Sequence, residues 1–451
     1  MQEWSVSIFG LGYVGLSHAV AYALRGAKVI GFDIDESKIK TISRGISPIK
    51  ESDIQESLRR LIGEGILEVT NDFRKAISLT SITFVSVNTP SLPDGSADLS
   101  QVRSAVSMIG DALKAKEDYH LVVIKSTVPP STTECLVKPL LEETSGKKVG
   151  VDLGLCVMPE FLREGTALRD VLNPWRIVIG EVDRRSGDFL EQFVRFIYGD
   201  SSPPIIRTTP VNAELIKYAS NAFLAMRVSF INSIARLCES FEGADVDTVA
   251  YGIGLDPRIG TQYLKAGPGY GGSCLPKDVK ALIKFCERRG YDPTLFKAIH
   301  GVNEAQMKHV VNLVEKALGG LKGKVVSVLG LAFKAGVDDV RESPSLKIIW
   351  LLLDKGAVVK VHDPLATENA RRVLGSRVKY ASSAYECIEG SSAAVVVTDW
   401  EEYKELKAQD FVRLMKKPIV VDTRRIYKDR LKELSNKLIY ICLGLSKVPL
   451  V

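Results

Sequence analysis

The amino-acid sequence predicts an α/β protein in which two parallel-sheet domains are joined by a long-helix α-helical central domain. Two observations lead to this prediction. At each end of the chain, a short apolar strand runs into a glycine turn, a helix and a second strand that ends on an aspartate. Between these ends, residues 212–239 contain neither proline nor glycine and are typical of one long helix. A chain of 451 residues is longer than one hydrophobic core usually serves. We therefore predict domains at 1–200, 201–310 and 311–451.

The two α/β ends are predicted from short apolar runs that alternate with helical or polar segments. The first unit begins with a strand at 6–9, and its helix covers about 16–25. The other predicted strands lie at 28–32, 82–87, 121–124 and 155–157 in the first unit, and at 325–329 and 358–362 in the last. This alternation is typical of a parallel sheet with helical crossovers.

The first glycine turn indicates a dinucleotide site. It reads Gly10-Leu11-Gly12-Tyr13-Val14-Gly15, follows a strand and opens a helix. In such a Rossmann turn, Gly10 permits the tight turn, Gly12 lets a pyrophosphate approach the backbone, and Gly15 lets helix and strand pack closely. The phosphates then bind free N–H groups at the helix N-terminus. The second turn, Gly330–Lys334, lacks this spacing and should not bind a dinucleotide in the same way.

The end of the second strand favours NAD over NADP. Asp33 stands 18 residues after Gly15, where a carboxylate can accept both ribose hydroxyls and would repel a 2′-phosphate. Lys38 is either a cofactor contact or a solvated surface lysine. We expect Asp35 to be a surface or capping residue.

A cysteine in a glycine-dense segment is the second chemical signal. Residues 267–278 read Gly-Pro-Gly-Tyr-Gly-Gly-Ser-Cys-Leu-Pro-Lys-Asp, which leaves little side-chain bulk around Cys274. A cysteine acts as a nucleophile in its thiolate form, which Lys277 and nearby backbone N–H groups can stabilise, and Asp278 is a candidate base or orienting acid. Most cysteines are small buried apolar residues, but the glycines and adjacent charges favour a nucleophile here.

Together, the NAD site and the cysteine predict a four-electron oxidation. A nicotinamide takes one hydride from an alcohol and leaves an aldehyde. A thiolate converts the aldehyde into a tetrahedral thiohemiacetal, whose oxidation yields a thioester that water can hydrolyse. The expected product is therefore a carboxylate.

Many segments, in the same order along the chain, resemble the UDP-glucose/GDP-mannose dehydrogenase family. They are Gly10–Gly15, Val87–Pro90, Lys125–Pro129, Pro159–Gly165, Glu214–Asn221, Asp256–Gly260, Gly269–Asp278, Gly330–Lys334, Arg341–Pro344 and Asp422–Arg424. The resemblance implies NAD-dependent oxidation of the C6 alcohol of a nucleotide sugar. Ser273 and Lys277 favour UDP-glucose, because the branch acting on N-acetylated UDP-sugars usually has histidine before the cysteine and lacks this lysine. Thr423 and Leu275 stand where the family often has Gly and Phe.

The resemblance implies a catalytic role for six residues. Cys274 corresponds to the nucleophile and Asp278 to the neighbouring carboxylate. Lys217 and Asn221 lie four residues apart on the long helix and would hold the C6 oxygen. Glu160 would act through water as the base of thioester hydrolysis, with Thr127 holding that water. Without the resemblance, Glu160 reads as a capping carboxylate, and Lys217 and Asn221 as exposed helix residues.

Binding residues are implied at both ends of the chain. Those expected at the cofactor are Gly10, Gly12, Tyr13, Val14, Gly15, Asp33, Lys38, Thr89, Ser126, Thr127, Glu164, Lys277 and Arg341. Those expected at the sugar nucleotide are Phe161, Leu162, Arg163, Glu164, Lys217, Asn221, Arg258, Tyr263, Gly271, Phe333, Lys334 and Arg424. Arg258 would reach across from the second subunit of a homodimer, and Lys334 would bind phosphate beside a helix N-terminus.

Composition argues against several classes of protein. The 60 basic and 54 acidic residues are spread along the chain, so a net charge of +6 gives little support for nucleic-acid binding. The most apolar run, 348–353, is too short to cross a membrane, and the first residues do not read as a signal peptide. Seven scattered cysteines indicate reduced thiols in a cytoplasm, and five histidines without ligand spacing predict no metal.

Other functions remain open from the sequence alone. Within the family, the substrate could be UDP-N-acetylmannosamine or another UDP- or GDP-hexose. A two-electron 3-hydroxyacid or 6-phosphogluconate dehydrogenase would share the first domain, the long helix and the lysine–asparagine pair, but would need neither Cys274 nor Lys334. A non-catalytic sensor of NAD or of a nucleotide sugar would not need the intact catalytic set.

Overall fold

The computed structural model describes residues 3–199 and 202–446. They form two compact units, one reaching to Ser220 and the other starting at Asn221. Both units are α/β, each with its own sheet, and the long helix runs from the end of the first into the second. The predicted fold class is therefore confirmed, while the three predicted domain boundaries stay a prediction.

The first unit contains an eight-stranded sheet in the order β3-β2-β1-β4-β5-β6-β7-β8. Its strands are β1 Ser5–Phe9, β2 Lys28–Phe32, β3 Leu67–Thr70, β4 Ile82–Val85, β5 Leu121–Ile124, β6 Gly154–Val157, β7 Ile177–Glu181 and β8 Ile205–Thr208. Its helices are α1 Tyr13–Leu24, α2 Glu36–Ile42, α3 Ser52–Gly63, α4 Phe73–Ser78, α5 Ser100–Leu113, α6 Lys138–Ser145, α7 Ala167–Leu172 and α8 Arg184–Tyr198, with a π-helical turn at Thr133–Val137.

One strand departs from the predicted parallel sheet. β7 pairs antiparallel with β6, whereas the other neighbouring strands pair parallel. An antiparallel neighbour needs no crossover to the opposite end of the sheet. The connection from β6 to β7 therefore stays at the carboxyl end of β6, and this connection carries Glu160.

Alternate residues of the first sheet enter two separate apolar clusters. Leu121 and Val123 of β5 belong to one cluster, and Val122 and Ile124 belong to the other. The period of two places successive side chains on opposite faces. Because both faces are covered, these strands read in the sequence as continuous apolar runs.

The second unit begins within α9, Pro210–Cys238, and continues with helices and a six-stranded parallel sheet in the order β11-β10-β9-β12-β13-β14. The helices before the sheet are α10 Val246–Gly254, α11 Leu275–Arg288 and α12 Thr294–Leu318. The strands are β9 Val325–Leu329, β10 Val358–His362, β11 Lys379–Tyr380, β12 Ala393–Val396, β13 Ile419–Asp422 and β14 Ile439–Cys442. The remaining helices are α13 Pro344–Asp354, α14 Thr367–Leu374, α15 Ala384–Ile388, α16 Glu401–Lys404, α17 Ala408–Leu414 and α18 Leu431–Ser435.

No helix starts directly after Lys334, and the predicted role of this lysine in binding phosphate stays a prediction. The helix after the second glycine turn begins only at Pro344, ten residues beyond Lys334. Ser343 caps this helix by accepting the N–H of Ser345, and proline occupies its first position. A capping serine followed by proline is a stronger signal for the start of a helix than the glycine turn before it. A loop therefore separates β9 from α13, and Phe333 and Lys334 lie in that loop.

Candidate active site

The first glycine turn has the backbone geometry of a dinucleotide cradle. Gly10 has a φ of +93°. A Cβ on Gly15 would lie 1.8 Å from the carbonyl oxygen of Gly10, whereas a Cβ on Gly12 would meet nothing closer than 3.9 Å. The turn is thus closed where helix and strand meet and open at Gly12, with α1 starting at the next residue. A pyrophosphate fits the open side.

Asp33 organises the ribose end of this cradle. One carboxylate oxygen accepts the N–H of Leu11 at 2.8 Å and the Nζ of Lys38 at 2.7 Å. The other accepts the N–H of Asp35 at 3.0 Å. Lys38 therefore forms an ion pair with Asp33, the residue predicted to bind the ribose, and is not an isolated surface lysine. Asp35 caps α2 through the N–H groups of Ser37 and Lys38, as expected.

Two predicted cofactor residues join the loops that follow β4 and β5. The Ser126 hydroxyl donates to the carbonyl of Val87 at 2.7 Å, and the Thr89 hydroxyl donates to the carbonyl of Thr127 at 2.8 Å. These bonds hold Thr127 in place at the carboxyl end of the parallel strands, where ligands bind in open α/β sheets.

Glu51 is a site residue that the sequence reasoning missed. It accepts the Tyr13 hydroxyl and the N–H groups of Gly165 at 2.6 Å and Ala167 at 3.0 Å. This carboxylate ties the glycine turn to the loop that carries Glu164. No motif marks it, because a lone glutamate before a helix resembles an ordinary surface residue.

Glu160 and Lys217 form a buried ion pair. Their Oε1 and Nζ atoms lie 2.8 Å apart, and both side chains are almost fully buried. The second oxygen of Glu160 accepts the N–H of Leu162 at 2.8 Å, which is the backbone contact expected of a capping carboxylate. The contact with Lys217 is an addition to that capping role. The Lys217 ammonium lies 5.5 Å from the Phe161 ring. A buried carboxylate held beside an ammonium is suited to proton transfer and to stabilising negative charge.

In the second unit, Cys274 stands at the N-cap position of α11. Its side chain is exposed, and its Sγ lies 3.5 Å from the Ser273 hydroxyl. The positive end of a helix dipole favours a thiolate. An exposed thiol at a helix N-terminus, beside glycines, has the geometry of a nucleophile.

Asp278 lies on the first turn of the same helix and is almost fully buried. It accepts the Asn221 amide at 2.6 Å and the Lys277 ammonium at 2.5 Å. The structure therefore brings Asn221 of the long helix to Asp278 of the cysteine segment, 57 residues away in the sequence. Lys277, predicted at the cofactor, is engaged with this carboxylate.

Three buried amide side chains shape the cysteine loop and were not predicted. Asn303 accepts the N–H of Tyr270 at 2.8 Å and donates to its carbonyl at 3.1 Å. Asn232 accepts the N–H of Gly267, and Gln306 donates to the Gly267 carbonyl, both at 2.9 Å. These bonds satisfy backbone groups that a glycine-rich loop cannot pair internally.

Three predicted substrate or cofactor residues, Phe333, Arg341 and Arg424, lie near this loop, which itself contains Gly271. Gly272 donates to the carbonyl of Arg341 at 3.0 Å. A Cβ on Gly271 would clash with the Phe333 side chain at 3.2 Å and with the carbonyl of residue 342 at 2.5 Å. Arg424 donates to the Phe333 carbonyl at 3.0 Å. The loop after β9, the loop after β13 and the cysteine loop thus meet within the second unit.

The other predicted residues have local partners. Arg163 pairs with Asp170 at 2.7 Å, Arg341 with Asp339 at 2.7 Å and Arg258 with Asp256 at 2.6 Å. The Arg258 side chain is 87% exposed, and its reach to a second subunit stays a prediction. Tyr263 has a φ of +61°, and the Lys334 ammonium lies 5.6 Å from the Phe333 ring.

Two further findings concern the described residues only. Within 3–199 and 202–446, no group of three or more His, Cys, Asp or Glu side chains is arranged to hold a metal ion. No helix in that part of the chain has the length and apolar character needed to span a membrane.

Comparison with known proteins settles the family. Residues 4–199 match the NAD binding domain of the UDP-glucose/GDP-mannose dehydrogenase family, 211–305 its central domain, and 327–429 its UDP binding domain. The chain belongs to this family. The family's NAD binding domain covers the glycine turn and Asp33, so NAD is the cofactor.

Relatives match over nearly the whole length. The UDP-glucose 6-dehydrogenase AglM of Haloferax volcanii is 43% identical over 94% of this chain and 97% of its own. The UDP-glucose 6-dehydrogenase TuaD of Bacillus subtilis is 40% identical over 94% and 89%. A solved UDP-glucose dehydrogenase from Pyrobaculum islandicum is 41% identical, covers 99% of this chain and 98% of its own, and has a TM-score of 0.91.

Proposed function

We propose that this family member oxidises the C6 alcohol of UDP-glucose to the carboxylate of UDP-glucuronate, using two NAD and a covalent intermediate on Cys274. The observation that carries the proposal is the exposed Cys274 thiol at the N-terminus of α11, one helical turn from the Asn221–Asp278 hydrogen bond. A two-electron alcohol dehydrogenase has no use for such a thiol.

The first oxidation needs the C6 oxygen to be held while its proton leaves. Lys217 supplies an ammonium and Asn221 an amide, and both can stabilise charge on that oxygen. Asp278 accepts a hydrogen bond from Asn221, and in this proposal its carboxylate organises water and accepts the proton. NAD, when bound, accepts a hydride in each oxidation.

The second oxidation proceeds on the cysteine. The Cys274 thiolate adds to the aldehyde carbon, and the former carbonyl oxygen takes a proton to give a thiohemiacetal. Loss of a hydride and a proton gives the thioester. Glu160 then takes a proton from a water held by Thr127 while the water oxygen adds to the carbonyl carbon. The C–S bond breaks to release the thiolate and the carboxylic acid, which loses its remaining proton to solvent and becomes the carboxylate.

Fewer residues indicate which sugar is the substrate than indicate the type of reaction. Ser273 and Lys277 favour UDP-glucose, and the relatives named UDP-glucose 6-dehydrogenase support it. The alternative is the same reaction on UDP-N-acetylmannosamine or another UDP- or GDP-hexose, since the proposed cysteine chemistry does not depend on the group at C2.

The stoichiometry of NADH tests the proposal. With limiting UDP-glucose, we expect two NADH per sugar nucleotide, and we expect Cys274→Ala to abolish UDP-glucuronate formation. The matched control is Cys135→Ala, which removes another exposed thiol and should leave turnover unchanged. One NADH per sugar, or full activity without Cys274, would overturn the thioester route. No NADH from UDP-glucose, with activity on UDP-N-acetylmannosamine or GDP-mannose, would select the alternative substrate.

We also propose that the protein is a homodimer that uses one face of α9. Phe223, Phe230 and Leu237 stand seven residues apart on this helix and are 54%, 50% and 54% exposed. Residues seven apart share a helix face, and an exposed apolar stripe of this length favours burial against a partner. An identical helix from a second copy supplies the same stripe, as a two-fold interface requires.

Substituting Phe230 tests the dimer. We expect Phe230→Asp to shift the protein from dimer to monomer in sedimentation velocity at micromolar concentration, because it places a charge in the centre of the stripe. Val373→Asp is the control, since Val373 is 46% exposed on α14 of the same unit. A monomeric wild type, or a Phe230→Asp protein that stays dimeric, would contradict this interface.

A further inference from the structure

Lys125 is a buried lysine that has no assigned role in the predicted site or in the proposed reaction. It follows β5 directly, two residues before Thr127, and only 3% of it is exposed. Its ammonium group donates to the carbonyl of Met158 at 3.2 Å, which places it beneath the loop that carries Glu160. A lysine is almost never buried to this extent without a specific reason.

Three ionisable groups from different elements interact with Lys125. Glu160 comes from the loop after β6, Lys217 from α9 and His18 from α1. All three are buried, and His18 donates through Nδ1 to the carbonyl of Val14 at 2.8 Å. Lys125, His18 and Glu160 line one cavity, whose other ionisable members are Asp170, Arg176 and Tyr198. Asp170 is paired with Arg163.

The buried cluster contains more cationic groups than anionic ones. Glu160 is the carboxylate beside the two lysines, and it is already paired with Lys217. Burial penalises an unbalanced charge. Burial, opposed by Glu160 and reinforced by Lys217, lowers the pKa of Lys125 to about 7. Burial and the charge of Lys125 also hold the pKa of His18 well below its usual value, so the histidine is neutral.

We propose that Lys125 is a positioning residue whose protonation state sets the electrostatic environment of the Glu160–Lys217 pair and thereby the rate of thioester hydrolysis. This inference rests on the proposed function for the reaction that it modulates. Lys125 acts through Glu160 and needs no contact with substrate. It lies at the carboxyl end of β5, so its backbone also fixes the start of the loop that carries Thr127.

The sign of the effect follows from the charges. When Lys125 is protonated, a second positive charge lies beside the Glu160–Lys217 pair, and transfer of a further proton from water into this buried cluster is opposed by that charge. When Lys125 is neutral, this opposition is absent. Hydrolysis should therefore be slow below pH 7 and rise to a plateau above it.

Two substitutions with opposite expected effects test this role. In single-turnover experiments between pH 5.5 and 9, decay of the Cys274 thioester is followed by mass spectrometry of quenched samples. We expect the wild-type rate to rise about tenfold through pH 7. Lys125→Met, which is always neutral, should stay at the high rate throughout. Lys125→Arg, which keeps the charge and the hydrogen-bond donor, should stay at the low rate throughout.

A purely structural lysine gives a different pattern. Both variants would then be slower by a similar factor at every pH, and the wild-type inflection would persist in them. The proposal is overturned if both variants are slowed by a similar factor at every pH, and equally if the wild-type inflection persists in them. Lys114→Met, on an exposed lysine of the same unit, is the control and should reproduce the wild-type profile.

A stability measurement separates failure of this inference from failure of the proposed function. The folded pKa of Lys125 lies below the value of 10.5 expected when it is solvated. At this site the unfolded chain therefore binds more protons between pH 7 and 10.5, and the contribution of Lys125 to stability rises with pH over that window. We expect Lys125→Met to melt roughly 5 °C above wild type at pH 6, with the difference shrinking towards pH 10. A difference in melting temperature that does not change with pH contradicts the inference. Because this measurement needs no substrate, its outcome does not depend on whether UDP-glucose is the substrate.

Discussion

Replacing Glu160 by glutamine is expected to stop the reaction at the covalent thioester. The amide keeps the size of the side chain and can still accept the N–H of Leu162, which the carboxylate accepts at 2.8 Å. It cannot take a proton from water. Both oxidations precede this step, so each active site should release two NADH in a rapid burst. Steady turnover should then fall about 1,000-fold, the usual scale for loss of a general base.

The predicted intermediate can be observed directly. After the burst, intact-protein mass spectrometry of Glu160→Gln should show a UDP-glucuronyl adduct, and peptide mapping should place it on Cys274. Glu143→Gln, at an exposed carboxylate of the same unit, should turn over like wild type and accumulate no adduct. A burst of one NADH without an adduct would assign Glu160 to an earlier step. Turnover of Glu160→Gln within tenfold of wild type would show that Glu160 is not the base of thioester hydrolysis.

The largest effect on stability is expected from Asp363, at the end of β10. It is 3% exposed and accepts five N–H groups, from Leu331, Ala332, Leu365, Ala366 and the Trp400 indole, at 2.7–3.1 Å. Alanine would leave these donors without their acceptor inside the second unit. Each buried unsatisfied donor costs about 1–3 kcal/mol before relaxation. We expect Asp363→Ala to lose about 4 kcal/mol of unfolding free energy, or roughly 10 °C in melting temperature.

Asp33 offers the matched control, because it occupies the equivalent position after β2. It accepts the N–H groups of Leu11 and Asp35 and the partly exposed Lys38 ammonium. We expect Asp33→Ala to lose about 1–2 kcal/mol of stability and to weaken NAD binding about tenfold or more. Calorimetric titration with NAD and thermal unfolding by circular dichroism separate the two effects. Equal melting temperatures for the two variants would contradict the structural role of Asp363.

The sequence predicted the elements whose signals are local. The strands β2, β5, β9 and β10 lie where the apolar runs placed them, because a strand covered on both faces must be apolar at successive positions. The left-handed φ of Gly10 and the tight packing at Gly15 follow from the absence of a side chain at those positions. The long helix was predicted to within two residues at its start, since it contains no breaker.

The sequence could not show which polar side chains hold the loops in place. Asn303 and Gln306 are 33 and 39 residues from the loop atoms that they bind, and Glu51 is more than 100 residues from Gly165. An amide or a carboxylate on a helix looks solvent-exposed until folding brings a backbone N–H or carbonyl group to it. The burial of Lys125 has the same origin, because its position in the chain says nothing about the removal of water around it.

The two ends of the chain illustrate this division. By itself, the sequence determined that each end contains a strand, a glycine turn and a second strand with a terminal aspartate, because those features depend on neighbouring residues. Only the tertiary structure decided how the two aspartates are used. Asp363 accepts N–H groups from Leu331 and Ala332 in the loop before α13, from Leu365 and Ala366 just after Asp363 itself, and from the distant Trp400 indole. Among the described residues, Asp33 has three donors instead of five, because α1 starts directly after the first turn and no indole there reaches this carboxylate. A carboxylate can bind a ribose only where folding has not already filled its acceptor sites, and that depends on residues far away in the chain.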